Sequence, residues 1–176
     1  MDNLKKFIRS IPDFPKQGIM FRDITTLLAS SEGLSLALEQ LFEEAKDKGV
    51  TRVVGIESRG FILGGALAQK LGCGFVPVRK PGKLPGEKIA ESYSLEYGTD
   101  TIEIHADAIK GGDIVLLHDD LLATGGTAKA ACKLIERLGG KIVLISFLIE
   151  LSFLQGREVL KGYEVSSLIE YADEKP

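Results

Sequence analysis

One stretch decides the fold: Ile114-Val115-Leu116-Leu117-His118-Asp119-Asp120-Leu121-Leu122-Ala123-Thr124-Gly125-Gly126-Thr127. Its first five residues form a short and almost continuous apolar run, which predicts a buried strand over residues 114–118. Two carboxylates follow directly, and a loop with two glycines opens a helix predicted over residues 127–138. A strand that passes through a polar turn into a helix is the repeating unit of α/β sheets.

The same unit recurs on both sides of this stretch. Periodicity and composition predict helices over residues 32–48 and 61–71, and strands over 52–56, 74–79 and 142–149. Near-continuous apolar strands that alternate with helices indicate a mostly parallel, twisted sheet with helices on both faces, an α/β doubly wound architecture. Because ligands of such sheets bind at the carboxyl ends of the strands, Asp119 and Asp120 are candidate site residues.

Three segments interrupt the alternation: residues 11–26, residues 80–91 and the tail after Gly162. Irregular segments of this length often carry function. Polar and apolar residues alternate over 92–95 and 101–105, which predicts a β-ribbon around Gly98 that carries the second of these loops.

Composition limits the class of protein. The 176 residues predict a single domain, and 22 Lys and Arg against 25 Asp and Glu give a net charge of -3, which disfavours nucleic-acid binding. We find no apolar run of membrane-spanning length and no secretory leader at Met1, so we expect a cytoplasmic protein without membrane contact. Cys73 and Cys132 lack metal-ligand spacing and are expected to be buried free thiols.

The residues after the central strand have the chemistry of a phosphate site. Gly125 and Gly126 let backbone N–H groups approach an anion, Thr124 and Thr127 add hydroxyl donors, and the helix N-terminus adds positive potential. The fingerprints of nucleoside-triphosphate and dinucleotide loops are absent. Carboxylates before such a loop suit vicinal hydroxyls or hydrated Mg²⁺, and ribose 5-phosphate offers both hydroxyls and phosphate. The alternative interpretation of the acid pair and the two glycines is an ordinary turn at the end of a strand, with no bound phosphate.

The stretch resembles the phosphoribosyl pyrophosphate (PRPP) signature of the type I phosphoribosyltransferase family: a hydrophobic strand, an acid pair, then Ala-Thr-Gly-Gly-Thr. Further segments resemble the adenine-specific branch of that family. They are Pro12-Asp13-Phe14-Pro15, Gly18-Ile19, Phe21-Arg22-Asp23-Ile24-Thr25, Ser58-Arg59-Gly60-Phe61, Arg79-Lys80-Pro81-Gly82-Lys83-Leu84-Pro85-Gly86 and Ser92-Tyr93-Ser94-Leu95-Glu96-Tyr97-Gly98. The resemblance implies transfer of ribose 5-phosphate from PRPP to N9 of adenine. It also implies a small hood over the base (1–30), a flexible lid with its β-ribbon (79–105) and a homodimer.

The resemblance further implies a role for individual residues. The ribose and 5′-phosphate would be bound by Asp119, Asp120, Ala123, Thr124, Gly125, Gly126 and Thr127. Pyrophosphate would be bound by Ser58, Arg59, Arg79, Lys80 and Lys83, and adenine by Met20, Phe21, Arg22 and Leu151. Glu96 would handle the adenine proton, and Arg59 would share in catalysis. Mg²⁺ would be held mainly through PRPP and water, with Asp119 and Asp120 as candidate ligands.

The sequence departs from the family pattern at two positions. Thr26 stands where proline is common, and His118 stands where an aliphatic residue is common. A lone histidine at a strand end is more often structural, so His118 is not included in the site. The alternative functions are a PRPP-sensing regulator, disfavoured because no basic DNA-binding segment is evident, and an enzyme for a 6-oxopurine or pyrimidine base.

Overall fold

The computed structural model describes residues 3–94 and 98–175. In chain order the elements are a 3₁₀ helix (Lys5–Phe7), β1 (Arg9–Ile11), β2 (Phe21–Asp23), α1 (Thr25–Ala29), α2 (Ser31–Ala45), β3 (Arg52–Ile56), α3 (Gly60–Leu71), β4 (Gly74–Val78), β5 (Lys88–Ser94), β6 (Thr99–His105), β7 (Ile114–Leu122), α4 (Gly126–Arg137), β8 (Lys141–Leu151), a second 3₁₀ helix (Ser152–Leu154), α5 (Gly156–Val159) and β9 (Val165–Tyr171).

The central sheet has five parallel strands in the order β4-β3-β7-β8-β9. The chain leaves β3 through α3 toward one edge and leaves β7 through α4 toward the other edge. The switch point of the sheet, where the connections diverge, therefore lies between the carboxyl ends of β3 and β7. The predicted fold class is confirmed.

Each face of the sheet carries its own apolar core. On one face α2 and α3 pack with Val53, Leu116 and Leu144. On the other face α4 and the two-stranded β5-β6 ribbon pack with Val54 and Leu117. Neighbouring residues of one strand thus serve opposite cores, which explains why these strands are apolar throughout.

The hood is a small antiparallel sheet of β1 and β2 that continues into α1. Ile24 and Leu27 are buried in the core formed with α2 and α3. Asp23 links the two parts: it accepts hydrogen bonds from Arg9 of β1 and from the backbone N–H of Thr25, the latter at 2.9 Å. The hood is therefore anchored to the same core that supports α3.

Four features differ from the sequence predictions. The tail after Gly162, predicted to be irregular, forms β9, whose Leu168 and Ile169 are buried. The strand predicted over 114–118 continues to Leu122, so the acid pair lies inside β7 instead of in a following loop. The ribbon is longer than predicted, because β5 already begins at Lys88. Cys73 is partly exposed, whereas Cys132 is buried as expected. Within the residues that the structure covers, no helix has the length and apolar character to cross a bilayer.

Candidate active site

Arg59 and Asp120 meet across the switch point of the sheet. Arg59 precedes α3 and Asp120 belongs to β7, and Arg59 Nε lies 2.8 Å from Asp120 Oδ2. Asp120 is buried, while the Arg59 side chain stays 38% exposed. The guanidinium can therefore neutralise a buried carboxylate and still reach an anion in solvent.

The acid pair places two carboxylates where water is scarce. Asp119 Oδ1 accepts a hydrogen bond from the backbone N–H of Asp120 at 2.9 Å. Burial, and next the charge of Asp120, raise the pKa of Asp119 well above its ordinary value. Burial also raises the pKa of Asp120, although the charge of Arg59 opposes that rise. Such a pair strongly favours a positive charge placed beside it.

Residues 123–127, which form the turn after β7 and the first residues of α4, are hereafter the phosphate loop. It borders a small cavity of about 70 Å³ at the N-terminus of α4. Gly125 has φ +83°, a left-handed conformation that side chains disfavour, and its position turns the chain into the helix. The cavity thus combines backbone N–H groups with the positive end of a helix, as anion sites do.

A larger cleft of about 460 Å³, hereafter the main cleft, lies beside the phosphate loop. Its volume falls within the range of small-molecule sites. Its walls include Ser58, Arg59, both aspartates and Thr127. The structure therefore brings these sequence-predicted residues, which come from two separate βα turns, to one cleft.

The three predicted lid cations are placed differently from one another. Lys80 lines the main cleft, and its Nζ lies 3.3 Å from Asp100 Oδ2. Arg79 lies beside the cleft with its Nε 2.7 Å from Glu57 Oε2. Lys83 is exposed, and its backbone oxygen accepts a hydrogen bond from Arg79 at 3.4 Å. Of these three residues, Lys80 is the one placed to meet a ligand in the cleft.

Two residues of the ribbon that the sequence analysis missed also line the main cleft. Tyr93 and Asp100 are paired in the β5-β6 register, and the Tyr93 hydroxyl lies 3.3 Å from Asp100 Oδ2. The backbone N–H of Thr101, more than any other group, lowers the pKa of Asp100. Tyr93 lies in a segment that the sequence analysis quoted, but its partner Asp100 follows only from the register of β5 and β6, which the sequence does not show.

The hood brings Phe21 to the entrance of the site. The Arg59 guanidinium lies 5.5 Å from the centre of the Phe21 ring, and the Phe14 ring meets Phe21 edge to face with centroids 5.1 Å apart. Met20 is half-buried beside Phe21, and Leu151 is half-buried at the end of β8. An aromatic ring and apolar side chains are therefore available for a flat base.

The Arg22 side chain contacts β1 and the C-terminal segment of the chain. Its Nη1 lies 2.5 Å from Ser10 Oγ, and its guanidinium stacks 3.9 Å from the centre of the Tyr171 ring. It also donates to the backbone oxygen of Lys175. The side chain of Arg22 thus ties the hood to the C-terminal segment, which leaves its backbone as the part that could read a base.

Glu96 lies outside the described residues, as do its two neighbours Leu95 and Tyr97. The last described residue before them, Ser94, has its carbonyl oxygen 3.5 Å from the place a Cβ on Gly126 would occupy. The ribbon therefore reaches the phosphate loop immediately before position 95.

The residues present suit a metal ion that receives most of its ligands from elsewhere. No cluster of three or more His, Cys, Asp or Glu side chains in the described part of the chain could hold a metal. Four acidic residues among those described line the main cleft: Glu57 is paired with Arg79, Asp100 with Lys80, and Asp119 and Asp120 are adjacent on β7. Mg²⁺ commonly binds through one or two carboxylates together with substrate phosphates and water, and this donor set fits that pattern.

Comparison with known proteins gives a consistent result. Residues 23–169 match the model of the phosphoribosyl transferase domain. The chain is 60% identical over 167 residues to an adenine phosphoribosyltransferase of Halothermothrix orenii, covering 95% of this chain and 98% of that one. It superposes on an adenine phosphoribosyltransferase from Thermoanaerobacter pseudethanolicus with a TM-score of 0.94 and 50% identity, over 97% and 99% of the two chains. The Saccharomyces cerevisiae adenine phosphoribosyltransferase, solved with adenine and an imino-altritol bisphosphate, gives a TM-score of 0.88 and 41% identity over 94% and 96%.

Proposed function

We infer that this chain, which belongs to the phosphoribosyl transferase domain family, is an adenine phosphoribosyltransferase that salvages purine by converting adenine and PRPP to AMP and pyrophosphate. One observation carries the chemistry: the phosphate loop, the acid pair and Arg59 converge at the switch point of the sheet, beside the aromatic hood. The specificity for adenine rests on relatives of that name, which match nearly the whole chain.

The proposed mechanism is mainly electrostatic. The phosphate loop would hold the 5′-phosphate, and the acid pair would accept hydrogen bonds from the ribose hydroxyls. As pyrophosphate departs, positive charge develops on the ribose ring, and the carboxylates of the half-buried Asp119 and the buried Asp120 would stabilise that charge. Arg59 and Lys80 face the opposite charge, which develops on pyrophosphate.

Mg²⁺ belongs to the proposal. It would be held through PRPP and water, with Asp119 and Asp120 as its protein ligands or as partners of its water. When bound, it would neutralise the diphosphate and so make it a better leaving group. Arg59 would complete that neutralisation from the protein side, because its partner Asp120 leaves part of the guanidinium exposed.

The base would lie between the hood and the end of β8. Phe21 offers a ring for stacking, and backbone groups of Met20 and Arg22 would read the edge of the base. Leu151 would cover the other face. Glu96 is proposed to handle the adenine proton, a role that requires a raised pKa and hence the exclusion of water.

A homodimer is proposed as the assembled form. The Ile62 side chain projects from the first turn of α3 and is 49% exposed, beside the Phe61 ring that Arg79 covers at 5.8 Å. The dimer is carried over from the resemblance to type I phosphoribosyltransferases, and Ile62 is the contact proposed for its interface. Sedimentation velocity on the protein and on an Ile62→Glu variant tests this, since a dimer through α3 would dissociate in the variant. The cytoplasmic location remains a prediction.

The test of the activity is pyrophosphate release from PRPP and Mg²⁺ with adenine, hypoxanthine, guanine, xanthine, uracil and orotate offered separately. Turnover with adenine alone is expected. Preference for another base would keep the PRPP site and overturn the proposed base pocket. PRPP binding without turnover on any base would instead support a PRPP-sensing regulator.

A further inference from the structure

The back of the phosphate loop rests directly on the backbone of the turn after β8. A Cβ on Gly125 would lie 2.5 Å from the carbonyl oxygen of Gly156 and 3.3 Å from Cβ of Val159. A Cβ on Gly156 would in turn collide with the carbonyl oxygen of Ala123 and lie 2.9 Å from Leu122 Cδ1. Backbone oxygens cannot move aside as flexible side-chain ends can, so both positions require the absence of a side chain. Residues 155–157 are hereafter the buttress.

An ionic cluster around the buried Glu150 holds the buttress in place. Arg157 donates from Nε to both carboxylate oxygens of Glu150, at 2.8 and 2.9 Å, and from Nη2 to Glu150 Oε2 at 2.7 Å. It also donates to the backbone oxygen of Val165 at 2.8 Å, and Ser167 Oγ lies 2.5 Å from Glu150 Oε2. The planar guanidinium thus links the buttress to β8 and β9 at once.

The cluster is close to the phosphate loop in the sheet. Glu150 is buried and is paired in register with Leu122, the last residue of β7 before the loop. Burial acts to raise the pKa of Glu150, but the hydrogen bonds from Arg157 and Ser167 outweigh it and leave the pKa lowered. Glu150 therefore stays ionised and keeps its hold on Arg157 at neutral pH.

We propose that Gly156 and Arg157 are positioning residues for the phosphate loop. The Glu150–Arg157 pair fixes the buttress, and the buttress fixes the position of the backbone of residues 123–125 relative to the bound 5′-phosphate. This inference rests on the proposed function. A shift of the loop by a fraction of an ångström lengthens several N–H···phosphate bonds together. The pyrophosphate end and the hood side of the base pocket (residues 20–22) lie on other segments, and Leu151 is the one proposed base-pocket residue that adjoins Glu150.

The test compares Gly156→Ala and Arg157→Lys with the unaltered protein. Arg157→Lys keeps the positive charge but loses the planar guanidinium that donates several hydrogen bonds to Glu150. It therefore tests the geometry of the Glu150–Arg157 pair with less risk to folding. We expect KM for PRPP to rise about tenfold or more in Gly156→Ala and about threefold or more in Arg157→Lys. KM for adenine should change less than twofold. Calorimetric titration of AMP should show the same loss of affinity as KM for PRPP.

Lys161→Met is the matched control, because it removes an exposed ion pair with Glu158 from the same segment without touching Glu150. It should leave both KM values unchanged. Equal rises in both KM values, or a fall in kcat alone, would mean a general structural role and would overturn the inference. Unchanged KM for PRPP and AMP affinity in folded Arg157→Lys would overturn it as well.

The two proposals can fail separately. If the unaltered protein does not use adenine, the proposed function is wrong, and titration of the variants with PRPP still tests the buttress. If the unaltered protein uses adenine but the variants bind PRPP and AMP normally, only the inference about the buttress is wrong.

Discussion

At the residue scale, the site contains adjacent acidic groups whose burial lowers the stability of the folded protein. Asp119 and Asp120 lie side by side in a strand, and the pKa of each is raised by burial. Arg59 compensates Asp120, but Asp119 has no cation within ion-pair distance among the described residues. A protein selected only for stability would not keep this pair, so its cost is an argument for function.

Asp119→Asn should therefore stabilise the metal-free protein and weaken catalysis. The amide keeps the shape but removes a like charge beside Asp120, and a gain of about 0.5 to 2 kcal/mol in the free energy of unfolding is expected. The value of kcat/KM should fall by about 10- to 1000-fold, since an electrostatic contact with the transition state is lost. Urea unfolding and steady-state kinetics measure the two effects. Lower stability with full activity would remove Asp119 from the site.

Asp23 makes the hood sensitive to strong acid. Hydrogen bonds, first from the backbone of Thr25 and then from Arg9, lower the pKa of Asp23 to about 2. Because the folded-state pKa is lower than the ordinary 3.8, its contribution is complete above pH 3.8 and is lost as the pH falls through 2. At pH 7, Asp23→Asn should lower the free energy of unfolding by about 1 kcal/mol. The difference in free energy of unfolding between the variant and the unaltered protein, measured by urea unfolding, should become smaller as the pH falls below 4. A difference that does not change with pH would contradict the lowered pKa of Asp23.

At the scale of elements, a stack of two side chains links the hood to the last strand of the sheet. Arg22 of β2 lies over Tyr171 of β9, so the last strand of the sheet positions the segment that carries Phe21. The stack links the base pocket to a part of the chain more than a hundred residues away.

Tyr171→Leu should loosen the hood and leave the phosphate loop intact. We expect KM for adenine to rise several-fold with KM for PRPP unchanged, because a cation–π contact of this kind contributes about 0.5 to 2 kcal/mol. Tyr171→Phe keeps the ring and should behave as the unaltered protein. Equal changes in both KM values would show that Tyr171 supports the whole sheet instead.

At the scale of the whole molecule, the stability of the central sheet depends on all five strands. β9 buries Leu168 and Ile169 and pairs with β8, the strand that ends next to the buttress and the base pocket. Removing β9 would expose β8 as a long, flat and apolar edge.

A chain that stops after Gly162 should therefore lose cooperative unfolding. Exposing the two buried side chains alone costs about 3 kcal/mol or more, which is a large part of the stability of an ordinary domain. A chain that stops after Ala172 is the control and should unfold almost as the full chain does, since it loses little beyond the contact of Arg22 with Lys175. Urea titration followed by circular dichroism measures both, and a normal transition in the shorter chain would contradict the prediction.

The fold and the location of the candidate site could be predicted wherever they depend on neighbouring residues. Apolar runs placed β3, β4, β7 and β8 within a few residues of their bounds, and Asp-Asp followed by Ala-Thr-Gly-Gly-Thr marked the phosphate loop. These features are local, because strand periodicity and loop conformation are properties of a few consecutive residues.

Tertiary structure decided the rest. Only the packed sheet makes the tail into β9, turns the Arg22 side chain toward Tyr171, pairs Arg79 with Glu57 and leaves Lys80 in the cleft. It also sets Gly156 against Gly125. Each of these contacts joins residues far apart along the chain, and its geometry depends on how strands and helices pack. The sequence by itself determined which chemical groups the protein has and where its strands run, and packing determined which of those groups meet.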